Sequence, residues 1–221
     1  MTHALQQDVP HGSRLSIAEE VSMRYKNIIF DFGNVIGTFQ TAAILKPFCV
    51  SAEDFDLLSC VVFKNWSALD AGTIDYEENA RSCIELLPDR LKETGRAFFA
   101  DWVQYVRPLP DTWNFIRELK DQNVGIYLLS NAPTKFAQEA PVTFEILQLF
   151  DGLVFSGPLK MAKPAPSIYH YLFRTFHLKP EDCFFIDDTA VNIQAGRELG
   201  MDGLVFTGDI GAVKKELTKD C

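Results

Sequence analysis

The sequence predicts an α/β fold: a doubly wound parallel sheet with a helical subdomain inserted into it. Three observations lead there. Short continuous apolar runs recur along the chain, each stopping at a polar or small residue. Such runs read as strands buried on both faces. Helical patterns separate most of them, the arrangement that right-handed crossovers between parallel strands require. One interval, from Asp31 to the next apolar run at Val124, is far longer than a crossover needs, and it looks helical.

In chain order, residues 1–20 are polar and lack strong periodicity, and Met23 stands just before the first strand. Residues 1–25 are therefore expected to form a loosely ordered arm, because termini fray unless tied down. Asn27–Phe30 is the first strand and ends at Asp31. Residues 26–39 and 108–221 are assigned to the sheet core, and 40–107 to a helical cap. Within the cap, Asp75 and Glu78 have capping-box spacing, with Asp75 as N-cap. Residues 97–106 are rich in aromatics (Phe98, Phe99, Trp102 and Tyr105), which suits the interior of the cap. A helix over 111–121 follows Pro108 and Pro110, with Trp113, Ile116 and Leu119 on its apolar side. Strand 124–129 ends before Ser130, and helix 136–149 follows. Strand Gly152–Phe155 ends before Ser156, and helix 166–177 follows. Strand 183–186 ends before Asp187. Helix 188–199 has Asp188 as a candidate N-cap and stops at Gly200, a suitable C′ residue. The last strand, 203–206, ends before Thr207.

Composition narrows the function. The chain has 221 residues, 47% hydrophobic and 23% charged, which is ordinary for a soluble globular protein and excludes collagen-like, low-complexity and coiled-coil classes. Lysine and arginine number 21 against 30 acidic residues, a net charge of −9. That excess repels polyphosphate backbones, so nucleic acid is not an expected partner. No stretch approaches the roughly 20 apolar residues of a membrane helix, and residues 1–25 hold no apolar signal-peptide core. The five cysteines form no CxxC pair, which fits free thiols in a reducing compartment. The expected location is cytoplasmic, and the expected assembly a monomer or homodimer. The charge also poses a problem: an anionic ligand needs a local device to overcome a field of the wrong sign.

In doubly wound sheets, ligands bind beyond the carboxyl ends of the strands. The first strand delivers Asp31-Phe32-Gly33-Asn34-Val35 there, and the second delivers Ser130-Asn131. Lys163 follows the third, and the fourth delivers Asp187-Asp188, with Asn192 close behind. This set suits phosphoryl transfer. A carboxylate can attack phosphorus and divide hydrolysis into two easier steps. A hard cation such as Mg²⁺ relieves the repulsion between neighbouring carboxylates and binds phosphate oxygen. A hydroxyl, loop amides and a lysine supply fixed donors for the remaining oxygens.

The same residues carry a family resemblance. Asp31-x-x-x-Val35, Ser130-Asn131, Lys163-Pro164 and Asp187-Asp188, in that order, resemble the four motifs of the haloacid dehalogenase-like hydrolase superfamily, over roughly residues 26–208. The position of the insert resembles the helical cap of the subfamily that carries its cap after the first strand. The segments 30–35, Ala71-Gly72-Thr73-Ile74 and 184–193 are similar to bacterial sugar-phosphate phosphatases, including glucose-1-phosphatase, and to the phosphatase domain of bifunctional epoxide hydrolases. The resemblance implies a Mg²⁺-dependent phosphatase acting on a small phosphorylated metabolite, with a sugar phosphate as the expected substrate class. Asp31 would be nucleophile and metal ligand. Gly33 would offer its carbonyl to the metal, Asp188 would bind it directly, and Asp187 would act through water or by orienting the site. Ser130, the Asn131 amide, Lys163 and the amides of Phe32 and Gly33 would hold phosphate. Asn192 would brace the metal loop, and Trp66, Asp70 and Thr73 would flank a cap turn that sets specificity.

One departure stands out. Most phosphatases of this superfamily carry a second aspartate two residues after the nucleophile, as general acid and base; here that position is Gly33. The loss of such an acid, typically worth about 10²–10⁴-fold, predicts a rate that falls steeply as the leaving group becomes more basic, unless a cap residue or water supplies the proton. It also keeps open a catalytically weak phospholigand-binding protein; a metal-independent haloacid dehalogenase is the other alternative, and the Asp187-Asp188 pair argues against it, because a metal-free site gains little from extra negative charge near Asp31. Of the four histidines, His3 and His11 lie in the arm. His170 and His177 lack acidic partners at helical spacing and are assigned ordinary surface or core roles.

Overall fold

The computed structural model describes residues 23–218. The expected arm over 1–25 lies outside that range except for its last three residues, of which Tyr25 is buried and donates a hydrogen bond to Asp202 (2.6 Å). Seven strands are present among the described residues: β1 (Asn27–Phe30), β2 (Gly37–Thr38), β3 (Arg107–Pro108), β4 (Gly125–Ser130), β5 (Gly152–Phe155), β6 (Cys183–Asp187) and β7 (Asp202–Val205). Five of them form one sheet in the order β5-β4-β1-β6-β7, every pair parallel.

The unbroken apolar runs have a physical reason. Ile28 and Phe30 of β1, Ile126 and Leu128 of β4, and Phe184 and Ile186 of β6 enter one apolar cluster. Their neighbours Ile29, Leu129 and Phe185 enter a second. Alternate side chains point to opposite faces of a strand, so the two clusters cover the two faces of the sheet and no position is left for a polar residue.

Five helices fill the long interval after β1: α1 (Thr41–Leu45), α2 (Ala52–Val62), α3 (Trp66–Asp70), α4 (Tyr76–Leu86) and α5 (Asp89–Asp101). Asp75 caps α4 by accepting from the Glu78 amide (2.9 Å). Leu58, Phe98 and Trp102 of this insert are fully buried and share the apolar cluster of one sheet face. The ribbon β2–β3, antiparallel, ties the two ends of the insert together. The turn after α3 packs backbone to backbone against the core. Gly72 sits at φ +65°, and a Cβ there would overlap the Gly157 carbonyl.

The sheet core carries α6 (Pro110–Asp121), α7 (Thr134–Thr143), α8 (Ser156–Leu159), α9 (Pro166–Thr175), α10 (Ala190–Glu198) and α11 (Ile210–Leu217). Three expectations need correction. The helix expected over 136–149 stops at Thr143, and Glu145–Leu149 forms a separate 3₁₀ turn. Pro141 lies in the last turn of α7, where it has no N–H to give the Ala137 carbonyl and so weakens that turn. The helix expected to reach residue 177 stops at Thr175. His177, at φ +55°, turns the chain so that the Leu178 amide reaches the Phe173 carbonyl (2.9 Å), a Schellman closure. Asp188 does not cap α10. Thr189 occupies the N-cap position, and its amide donates to Asp187 (2.8 Å). Gly200 ends α10 at φ +88°, with the Met201 amide bonded to the Gly196 carbonyl (3.0 Å).

Among the described residues, no helix is long and apolar enough to cross a membrane. The described cysteines Cys49, Cys60, Cys83 and Cys183 are free thiols.

Candidate active site

The strand order fixes where a ligand can sit. The chain runs from β1 to β4 and β5 on one side, then returns to β6 and β7 on the other. The carboxyl end of β1 is therefore the switch point, flanked by the ends of β4 and β6, where doubly wound sheets bind ligands. Asp31 stands there. Its amide extends the sheet ladder by donating to the Ile186 carbonyl (2.9 Å), which fixes the backbone that carries its carboxylate.

Lys163 reaches the same point from the loop between α8 and α9. The Asn131 side chain clamps that loop from both sides, donating to the Lys163 carbonyl (2.9 Å) and accepting from its amide (2.8 Å). The ammonium meets Asp31 (2.9 Å), Asp187 (2.6 Å) and the Leu129 carbonyl (2.8 Å). An ammonium has three N–H donors, so all are engaged by protein groups. Burial alone would push the lysine down, but the two carboxylates outweigh it and hold the group above its ordinary value. Burial pushes Asp31 up; Lys163 and the Phe32 amide pull it down, Asp187 pushes it up, and the result is about 6.

Asp187 is fully buried and saturated with donors. It accepts from Lys163, from the Thr189 amide, and from Asn192 at both oxygens (3.1 Å each). The Asn192 carbonyl in turn accepts from the Tyr169 hydroxyl (2.8 Å). Asp188 is the most exposed of the three acids. It accepts from the Asn34 side chain (2.9 Å), whose own carbonyl takes the Phe39 amide (3.0 Å). Asn34 adopts φ +54°, a left-handed conformation that asparagine tolerates better than most residues. Each of Asp31, Asp187 and Asp188 offers an oxygen within 4.8 Å of the others. This hard, all-oxygen set fits a cation such as Mg²⁺.

The site opens into a cavity of ≈ 230 Å³. Asp31, Gly33, Ser130, Asn131, Asp188 and Thr189 border it from the sheet side, and Trp66, Asp70 and Trp102 from the insert, joined by Phe39 and Phe136. Phe39 and Trp66 are half-buried, while Trp102 and Phe136 are buried behind them and stacked at 5.6 Å. Asp70 is held in place through its backbone. The Ser156 hydroxyl donates to the Asp70 carbonyl and accepts from the Ala132 amide (2.8 Å). One carboxylate oxygen of Asp70 is buried without a hydrogen-bond partner. Burial, and then the charge of Asp31, push this carboxyl up to about 7.

Most of the residues singled out from sequence converge on this cavity. Phe32 differs in part. Its ring packs on Phe136 (4.8 Å) and Phe144 (5.0 Å) inside the core, while its amide bonds the Asp31 carboxylate. Thr73 is exposed, bonds the Ala68 carbonyl (3.1 Å), and does not line the cavity. His170 and His177 are exposed. Sequence reasoning missed Asn34, Phe39, Phe136 and Thr189. An asparagine directly after Gly33, a residue type that tolerates left-handed backbone, was a readable signal for the first; the aromatics meet only through the fold.

A parallel sheet that brings a lysine-held carboxylate and two further acids to its switch point defines an enzyme of carboxylate chemistry. Residues 25–200 match the haloacid dehalogenase-like hydrolase family, and the chain belongs to it. It is 27% identical over 190 residues to the sesquiterpene phosphatase astK of Aspergillus oryzae, covering 84% of this chain and 92% of that one. It is 27% identical over 210 residues to a D-ribitol-5-phosphate phosphatase of Bacteroides thetaiotaomicron, covering 87% and 97%. A crystal structure of a family enzyme from Bacteroides thetaiotaomicron, in complex with magnesium and inorganic phosphate, shares the fold with a TM-score of 0.66 at 20% identity, covering 86% of this chain and 98% of that one.

Proposed function

We propose that this hydrolase is a Mg²⁺-dependent phosphatase that cleaves a small organic phosphate monoester through an aspartyl-phosphate intermediate. One observation carries the reading: Asp31 lines the cavity at the sheet switch point, oriented by Lys163 and grouped with Asp187 and Asp188. Asp31 attacks phosphorus, the ester bond breaks, and water then hydrolyses the acyl phosphate. Lys163 and the Phe32 amide hold the Asp31 carboxylate in place and favour its ionised form. Ser130 and the Asn131 and Gly33 amides receive the phosphate oxygens. Asp31, Asp188 and the Gly33 carbonyl would hold Mg²⁺, while Asp187 and Asn192 fix the loop that carries Asp188. Bound there, the ion would supply charge stabilisation for phosphate oxygens and offset repulsion among the acids. Residues 40–107 act as the cap over this chemistry, in a cytoplasmic protein.

The cavity wall bears on the leaving group. Phe39 of the core and Trp66 of the insert present their rings beside the Asp70 carboxyl, and the Asn34 amide is already engaged by Asp188 and Phe39. With Asp70 as the one unpartnered carboxyl among these groups, such a wall favours an alcohol with hydrocarbon surface over a polyol, which would need several hydroxyl partners. That preference fits the likeness to a sesquiterpene phosphatase better than a sugar phosphate.

The test is phosphate release from p-nitrophenyl phosphate with Mg²⁺ and with EDTA, on the native chain and on Asp31→Asn. Metal-dependent release that Asp31→Asn abolishes, with its melting transition intact, supports the proposal. Halide release from a 2-haloacid in EDTA would select the dehalogenase reading. Phosphate binding without turnover would select a binding protein.

A further inference from the structure

We propose that Asp70, contributed by the insert, is the general acid and base of this reaction and replaces the acid that position 33 does not supply. The inference rests on the phosphatase reading of the site. Its starting point is a vacancy of function at Gly33 rather than of space. A Cβ at Gly33 would meet its nearest neighbours at 3.7 and 3.9 Å, ordinary contact distances, so packing does not force glycine there. An acid is nevertheless needed. Cleaving an ester of an ordinary alcohol leaves an alkoxide unless a proton arrives as the bond breaks.

Asp70 is the one carboxyl that the insert brings to the cavity wall among the described residues. Asp31 and Asp188 come from the sheet side and are held by Lys163 and Asn34. Asp70 has no such partner: one of its oxygens is buried and bonded to nothing. A carboxylate in that position is costly, whereas a carboxylic acid with its proton directed into the cavity is not. Burial and the Asp31 charge hold the group near neutrality, with a value of about 7, where donor and acceptor forms coexist. Its backbone is fixed to the core by Ser156, and Gly72 lets the following turn seat closely on Gly157. The carboxyl is therefore placed by rigid contacts on both sides.

The steps balance. Asp31 oxygen bonds to phosphorus, the bond from phosphorus to the ester oxygen breaks, and that oxygen takes the electron pair together with the Asp70 proton. The alcohol leaves. Water then attacks the acyl phosphate and gives its proton to the Asp70 carboxylate. Phosphate departs, Asp31 is regenerated, and Asp70 is again protonated.

The experiment compares the Mg²⁺-loaded native chain with Asp70→Asn and Asp70→Glu on 2,4-dinitrophenyl, p-nitrophenyl, phenyl and n-hexyl phosphates. The native rate should depend only weakly on leaving-group basicity. Asp70→Asn should lose about 10²–10⁴-fold on n-hexyl phosphate and far less on the dinitrophenyl ester, so that the dependence steepens; Asp70→Glu should restore part of it. An equal loss on every ester, or no loss on the hexyl ester, would overturn the role, because a structural or binding contribution cannot select leaving groups by basicity. If the native chain turns over none of the esters, the phosphatase reading falls and this role falls with it.

Discussion

Lys163→Met measures how much the buried charge cluster depends on its single cation. The native ammonium is 1% exposed and lies 2.9 Å from Asp31 and 2.6 Å from Asp187, whose side chains are 12% and 0% exposed. Methionine keeps most of the volume and removes the charge, leaving two buried acids without their shared cation. Removing one partner of a buried ion pair costs about 3–5 kcal/mol. For a chain of this size each kcal/mol moves the melting temperature by about 2–4 °C, so the expected drop is about 6–20 °C. The loss should also depend on pH. Asp31 already titrates at about 6 in the folded chain against 3.8 without the fold, and without the lysine it moves higher. A carboxyl raised by folding stabilises fully below its unfolded value, and that stability is lost as pH rises through the folded value. The variant should therefore be most deficient near pH 8 and recover toward the native chain near pH 5. Urea unfolding in EDTA at both pH values reads this directly. A deficit below about 1 kcal/mol at pH 8, or one that does not change with pH, would refute the assignment of Lys163 as the counter-charge of both acids.

In EDTA, the native chain itself should lose stability as pH rises from 5 to 8, because Asp31 at about 6 and Asp70 at about 7 both titrate above 3.8; Asp70→Asn should remove the upper part of that slope in a urea series. Gly72→Ala should destabilise by more than about 1 kcal/mol, since φ is +65° and the new Cβ overlaps the Gly157 carbonyl. By moving Asp70 it should also lower kcat on alkyl phosphates by about 10²-fold, read by melting and steady-state kinetics. Along ethyl, butyl and hexyl phosphates, kcat/KM should rise up to about fourfold per methylene buried against Phe39 and Trp66, and Trp66→Ala should flatten the series. Equal or better turnover of ribitol 5-phosphate would argue for a polyol.

How far the sequence carries depends on the range of the forces involved. The sheet was legible because strands buried on both faces admit no polar residue: Ile28, Ile29 and Phe30 satisfy two apolar clusters at once. Gly200 was legible because a left-handed helix end is a local requirement. The β2–β3 ribbon was not legible, since two-residue strands carry no period and Thr38 finds Arg107 only after the insert has folded. Helix 136–149 was misread because its apolar pattern continues through the break near Pro141. Thr73 and Asp70 could not be told apart, because they are three residues apart in one turn and only the contact of Gly72 with Gly157 decides which faces the cavity.

The charge problem has the same character. A net −9 is visible in the composition, but its local form depends on which groups meet. Among the described residues Lys163 is the one cation paired with this cluster, its three donors are taken by Asp31, Asp187 and the Leu129 carbonyl, and the cluster holds three acids. Three negative charges against one positive leave a net −2 before Asp70 is counted. An incoming phosphate dianion meets that field in a small cavity walled by protein, where repulsion is stronger than in bulk water. The amides and Ser130 are dipoles and cannot reverse it. A divalent cation can, by cancelling the two excess charges and bonding phosphate oxygen. Inorganic phosphate should therefore bind to the Mg²⁺-loaded chain and at least 10²-fold more weakly in EDTA, by calorimetry on the native chain and on the Asp70→Asn variant. Equal affinity with and without the ion would mean that the amide cradle alone overcomes the field, and that the carboxylate cluster serves something other than a metal.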